Sequence, residues 1–199
     1  MIGRILLRDY LKSPRNLALK ILLPFIVVFV SAYYGYATLA LIMILIFTVV
    51  TGSGLKIVSL KTAKVFDRLL ILPVSKRRLF AEYAGGYAVL YSVQLLPALL
   101  VGMWYSSGVV VVYALLSIFI IVIIGTLVGI HAKSYGEIHL FSLFAVIPLV
   151  GLALMKEPLS YMFPFVFVAY PSLDWVGLLC SSGMLLLMVA VLLWDVSRL

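Results

Sequence analysis

This sequence is poor in charge, and poorer in acidic than in basic residues. Of 199 residues only seven are Asp or Glu; 11% are charged and 65% hydrophobic, with a mean hydropathy of +1.25. Soluble domains are about 45–50% apolar and about 25% charged, so the composition excludes one and indicates an integral membrane protein. One cysteine, Cys180, excludes an intrachain disulfide. Asp9, Asp67, Glu82 and Glu137 are scattered, which leaves no carboxylate pair for acid–base work and no lipid-headgroup transferase motif. His131 and His139 stand about 12 Å apart along a continuous helix, too far to ligate one metal, so packing or headgroup contact is their reading. Gly52-Ser53-Gly54-Leu55-Lys56 matches neither the phosphate-loop pattern nor G-x-S-x-G. No catalytic, metal-binding or cofactor-binding residue is assigned. If ATP supplies energy, a partner subunit binds it.

What the chain does have is long uncharged runs. Residues 21–55 and 83–130 carry no charge. A helix needs about 20 residues to cross about 30 Å of hydrocarbon, so each run holds two spans. The first pair divides near Tyr33-Tyr34-Gly35-Tyr36 and the second at Trp104-Tyr105-Ser106-Ser107-Gly108. A fifth span is expected from Ile138 to Met155 and a sixth from Trp175 to Trp194. Between them Pro158, Pro164 and Pro171 break the helix. That predicts re-entrant or interfacial short helices over 156–173. The expectation is an all-α integral membrane protein, one transmembrane domain of six spans over 1–199.

The basic residues orient it. Arg4, Arg8, Lys12, Arg15 and Lys20 precede the first span, and seven more lie between Lys56 and Arg78. Lys133 follows span four and Arg198 lies near the end of the chain. With both termini cytoplasmic, only Lys156 of the fifteen Lys and Arg falls outside. Tyr33, Tyr34, Tyr36, Trp104, Tyr105, Tyr161, Tyr170 and Trp175 then form an outer aromatic belt. The cations flank apolar spans and cover no soluble face, so membrane lipids, not nucleic acid, are the expected contact, in the cell membrane. Met1 to Lys12 is amphipathic and no small-residue cleavage site follows, which predicts an interfacial helix over 1–13 and no cleavable signal peptide. Ser13-Pro14 starts the next helix and Pro24 predicts a kink within it.

The stretch 56–80 is the strongest local feature, expected as a cytoplasmic loop. Phe66, Leu69 and Leu70 recur at i, i+3 and i+4 among Lys64, Asp67 and Arg68, as in a short amphipathic helix ended by Pro73. Ser75 caps the following helix, whose first turn carries Lys76, Arg77 and Arg78 against the macrodipole. Anionic headgroups or an acidic protein surface would favour those cations; the alternative is a purely topological loop. Inside the spans, Lys20 can snorkel to the interface. Gln94, near Ser92 and Pro97, is the candidate for a substrate path, with an interhelical hydrogen bond as the alternative. The lack of mid-membrane carboxylates argues against an ion-coupled pump. Gly125 and Gly129 form a small-xxx-small pair suited to close helix packing.

Asp67-Arg68-Leu69-Leu70-Ile71-Leu72-Pro73-Val74-Ser75 resembles the acid-x-Leu-Leu-x-x-Pro-hydrophobic-Ser pattern of ABC-2 type transporter membrane subunits. The amphipathic N-terminus, the proline-containing first span and the proline-interrupted outer segment are similar to that family too. The resemblance implies a half-permease, mostly of exporters, that pairs with a second permease copy or related subunit and with an ABC ATPase subunit. It implies ATPase docking through a coupling helix at Phe66, Asp67, Arg68, Leu69 and Leu70. The chain departs from the pattern at Lys61, Lys64 and Val65, and again at Glu82-Tyr83, which implies a partner with a differently matched surface. The apolar spans favour a lipophilic or amphipathic cargo. Alternatives are the haem-handling membrane subunit of cytochrome c maturation, the substrate-binding component of a vitamin importer, and a membrane enzyme. The Leu-Leu-x-x-Pro-Val-Ser run argues against the importer component, and the scattered acids against the enzyme.

Overall fold

The computed structural model describes residues 14–71, 74–105, 107–154 and 175–198, and no strand occurs among them. Its helices are α1 (Pro14–Tyr33), α2 (Ala37–Thr62), α3 (Val65–Leu70), α4 (Lys76–Tyr105), α5 (Val109–His131), α6 (Tyr135–Leu154) and α7 (Trp175–Val196). Among the described residues, four helices are long and apolar enough to cross a membrane: α2 from Leu39, α4, α5 and α7. The 20-residue α1 and α6 stand where the first and fifth spans are expected. The expected interfacial helix over 1–13 and the outer segment over 156–173 lie outside the described residues.

Helix boundaries follow local chemistry. Gly35 adopts φ +79 just past α1. Its amide reaches the Ala32 carbonyl at 3.0 Å and the Tyr36 amide reaches Ser31 at 2.8 Å, the paired bonds of a Schellman stop. The Ser75 hydroxyl accepts the Arg78 amide at 3.4 Å and so caps α4. Ser134 accepts the Glu137 amide at 3.3 Å, while Glu137 Oε2 accepts the Lys133 amide at 2.7 Å, closing the start of α6 reciprocally.

Packing sorts the faces by size, since polarity hardly varies. On α4 the inward line is Tyr83, Tyr87, Tyr91, Leu95 and Ala98, whereas Val89, Val93, Leu96, Leu100 and Met103 face outward. Both lines repeat every three or four residues, the period of one helix face. The central helix is α2, which packs against α1, α3, α4, α5 and α6; α7 lies against α5 and α4. The closest approach joins α2 to α5. A Cβ on Gly125 would collide with Ser53 Oγ and lie 2.7 Å from the Val50 carbonyl oxygen. The glycine pair of α5 therefore packs on Gly54 and its neighbours, and the Gly52-Ser53-Gly54 run is helix–helix contact surface.

One boundary differs from expectation. The stretch 56–80 is mostly helix, because α2 continues through Lys56 and Lys61 to Thr62 and α4 begins at Lys76. The Lys61 side chain finds carbonyl partners on α5, so its charge is accommodated without ending α2.

Candidate functional site at the basic end of the bundle

The C-terminal ends of α2, α5 and α7 meet the N-terminal ends of α4 and α6 at one end of the bundle. The polar contacts between elements concentrate there. Lys61 Nζ donates to the carbonyls of Ile130 and Ala132, the latter at 3.0 Å. An ammonium at the last turn of α5 satisfies carbonyls that have no intrahelical donor and opposes the negative end of the macrodipole. Thr62 Oγ1 and the Tyr135 hydroxyl lie 3.3 Å apart, tying α2 to α6. His131 Nε2 and Asp195 Oδ2 are 3.0 Å apart, tying α5 to α7. Arg198 stacks over the Trp194 ring at 3.6 Å.

Against this end sits α3. Its entry is a tight reversal in which Lys64 takes φ 55, rare for a residue with a Cβ, and its amide donates to the Lys61 carbonyl at 2.9 Å. The resemblance puts Phe66 on a docking surface, but the structure turns it inward. Phe66 is only 8% exposed. Its ring meets Phe80 of α4 edge-on at 6.0 Å and lies beneath Lys61 Nζ at 5.6 Å. An aromatic ring offered lipid interface on one side and helices on the other gains most by burial, so Phe66 anchors α3. Leu70 is half-buried against the same core. The backbone of Asp67, Arg68 and Leu69 lies in α3, and their side chains fall outside the described set. The apolar side chains that do face outward are Val65, Val74 and Ile71, the last 81% exposed. Exposed Lys64, Arg77 and Arg78 flank them. Arg78 pairs with Glu82 one turn on, at 3.2 Å.

Gln94 lies away from this end and is buried at 2% exposure. Its Nε2 donates to the Lys20 carbonyl of α1 at 3.0 Å. Lys20 is four residues before Pro24, which has no N–H to give to that carbonyl. Gln94 thus supplies across the interface the donor that proline removes. His139 is exposed.

Sequence reasoning missed the tyrosine ladder of α4. The Tyr83 and Tyr87 rings meet at a tilt with centroids 4.6 Å apart, and Tyr87 and Tyr91 likewise at 6.0 Å. The Tyr83 hydroxyl donates to the Ser53 carbonyl at 2.9 Å. The signal was available as three tyrosines spaced four apart in an uncharged run.

The fold and these contacts define an all-helical protein with several membrane-length helices. Comparison with protein-family models, curated proteins and solved structures finds no match for the chain.

Proposed function

We propose that this chain is the membrane-spanning half-permease of an ATP-driven ABC-2 type transporter. In this reading α1 and α6 also cross, which gives six spans with both termini in the cytoplasm. The observation that carries it is α3 and the turn after it: a short helix pinned to the bundle by Phe66 at the start of the Asp67-to-Ser75 sequence pattern, with Ile71 exposed just past its end. An apolar residue this exposed, flanked by Lys64, Arg77 and Arg78, suits an acid-rimmed apolar recess on a soluble partner. That partner is an ABC ATPase subunit, which binds the ATP.

Six spans enclose half of a pathway, so a second permease copy or a related subunit completes it. ATP-driven closure of the ATPase pair moves α3 and, through it, the helices it touches. The apolar inner faces favour export of a lipophilic or amphipathic substrate. Co-purification of a functional ATPase, and its loss when Ile71 is made acidic, tests the reading.

A further inference from the structure

We infer that Lys61 is the link through which a displacement of α3 reaches the end of α5. The use made of this link rests on reading α3 as the docking helix; the link itself is a property of this chain alone.

Lys61 is held at both ends. Its carbonyl accepts the Lys64 amide at 2.9 Å, which fixes the reversal into α3. Its ammonium donates to the Ile130 and Ala132 carbonyls at the last turn of α5, and lies over the Phe66 ring of α3 at 5.6 Å. No other described side chain bonds these two carbonyls. The reversal is short and Lys64 already sits at positive φ, so α3 has little slack to move without carrying residue 61 with it.

Beyond the link, the motion has somewhere to go. The Gly54–Gly129 contact brings the backbones of α2 and α5 together, where a Cβ on Gly129 would lie 2.9 Å from the Gly54 carbonyl oxygen. Helices packed this closely, backbone against backbone with only Ser53 and the β-branched Ile57 beside the two glycines, move as one body. A pull on α3 is therefore delivered to the α2–α5 pair at its basic end. The Phe66 ring holds α3 in place and the Lys61 ammonium makes that placement felt at α5. A cation serving only the positive-inside distribution would face water or headgroups; this one turns back to carbonyls of another helix.

The test is a double-mutant cycle on the full-length chain in lipid nanodiscs, read by amide hydrogen exchange. The amides from Leu127 to Ala132 report the end of α5, and those from Ile118 to Val122 serve as an internal control. Phe66→Ala should speed exchange at the α5 end by roughly tenfold, and Lys61→Met by a similar factor, as for loss of a charge-assisted bond. The double variant should be no faster than Lys61→Met alone, because the route is already cut. Lys61→Arg, which keeps the cation, should return most of the protection. If Lys61→Met does not fold, Lys61→Gln takes its place in the cycle.

Phe66→Ala leaving the α5 end unchanged would overturn the inference, as would two increments that simply multiply. ATPase association is scored on the same variants. A cycle that holds without any ATPase partner would refute the docking reading and leave the link standing; additive effects in a chain that binds an ATPase would do the reverse.

Discussion

Gln94 of α4 donates to the Lys20 carbonyl of α1 at 3.0 Å, the carbonyl to which Pro24, four residues on, has no N–H to give. Two features that look unrelated in the sequence, a polar residue in one span and a proline in another, are thus one arrangement. Replacing Gln94 by Leu should destabilise the folded chain by about 1 kcal/mol. In a Pro24→Ala background, where residue 24 recovers its own N–H, the same replacement should cost clearly less. Unfolding in mixed detergent micelles, followed by far-ultraviolet circular dichroism, measures both. An identical cost in the two backgrounds would show that Gln94 does not compensate for the N–H that Pro24 lacks.

The α2–α5 contact predicts a sharp position dependence among glycines. Gly125→Ala and Gly129→Ala each drive a methyl group against backbone atoms of α2 and should cost about 1–3 kcal/mol. Gly85→Ala and Gly183→Ala meet nothing within 4 Å and should be close to neutral. The same unfolding measurement ranks the four. Equal destabilisation at all four would contradict close packing as the cause, since helix propensity favours alanine over glycine at each of them.

Topology is open to a direct chemical test. Cys180 is the only cysteine, so Cys180→Ser gives a clean background for single reporters. With both termini cytoplasmic, a cysteine placed at Tyr36 or Gly108 should react with a membrane-impermeant maleimide in intact cells. One placed at Lys64 or Lys133 should react only after permeabilisation. The reversed pattern would invert the bundle and remove α3 from reach of a cytoplasmic ATPase.

Much of this bundle is legible in the sequence because uncharged runs are long and their interruptions are specific. Gly35 after the aromatic cluster stops α1, and Ser75 opens α4, both by backbone chemistry that acts locally. The faces of the helices are harder to read. On α4 the inward Tyr87 and the outward Val89 are both apolar by composition, and only size and the four-residue spacing of the tyrosines separate them. Phe66 shows the limit at the candidate site. Its spacing with Leu69 and Leu70 marks an apolar helix face, but an apolar face can seat a helix on its own bundle or offer it to a partner. Tertiary packing against Phe80 decides in favour of the bundle. Lys61 was countable as a charge; its bonds to the end of α5 depend on a contact between residues about seventy apart in sequence, which no local pattern carries.

The proposed coupling of this chain to an ATPase through α3 and the turn after it can be measured directly. The full-length chain is purified from its native membrane in mild detergent and assayed for co-purifying, vanadate-sensitive ATP hydrolysis. The wild-type chain and the Gly183→Ala control should bring down an ABC ATPase in stoichiometric amount. Ile71→Asp and Val74→Asp alter exposed side chains, so they should leave the fold intact while reducing the associated ATPase at least about tenfold, as burial of an unpaired acid in an apolar recess requires. An ATPase retained at wild-type levels by both acidic variants, or none accompanying the wild-type chain, would contradict the account.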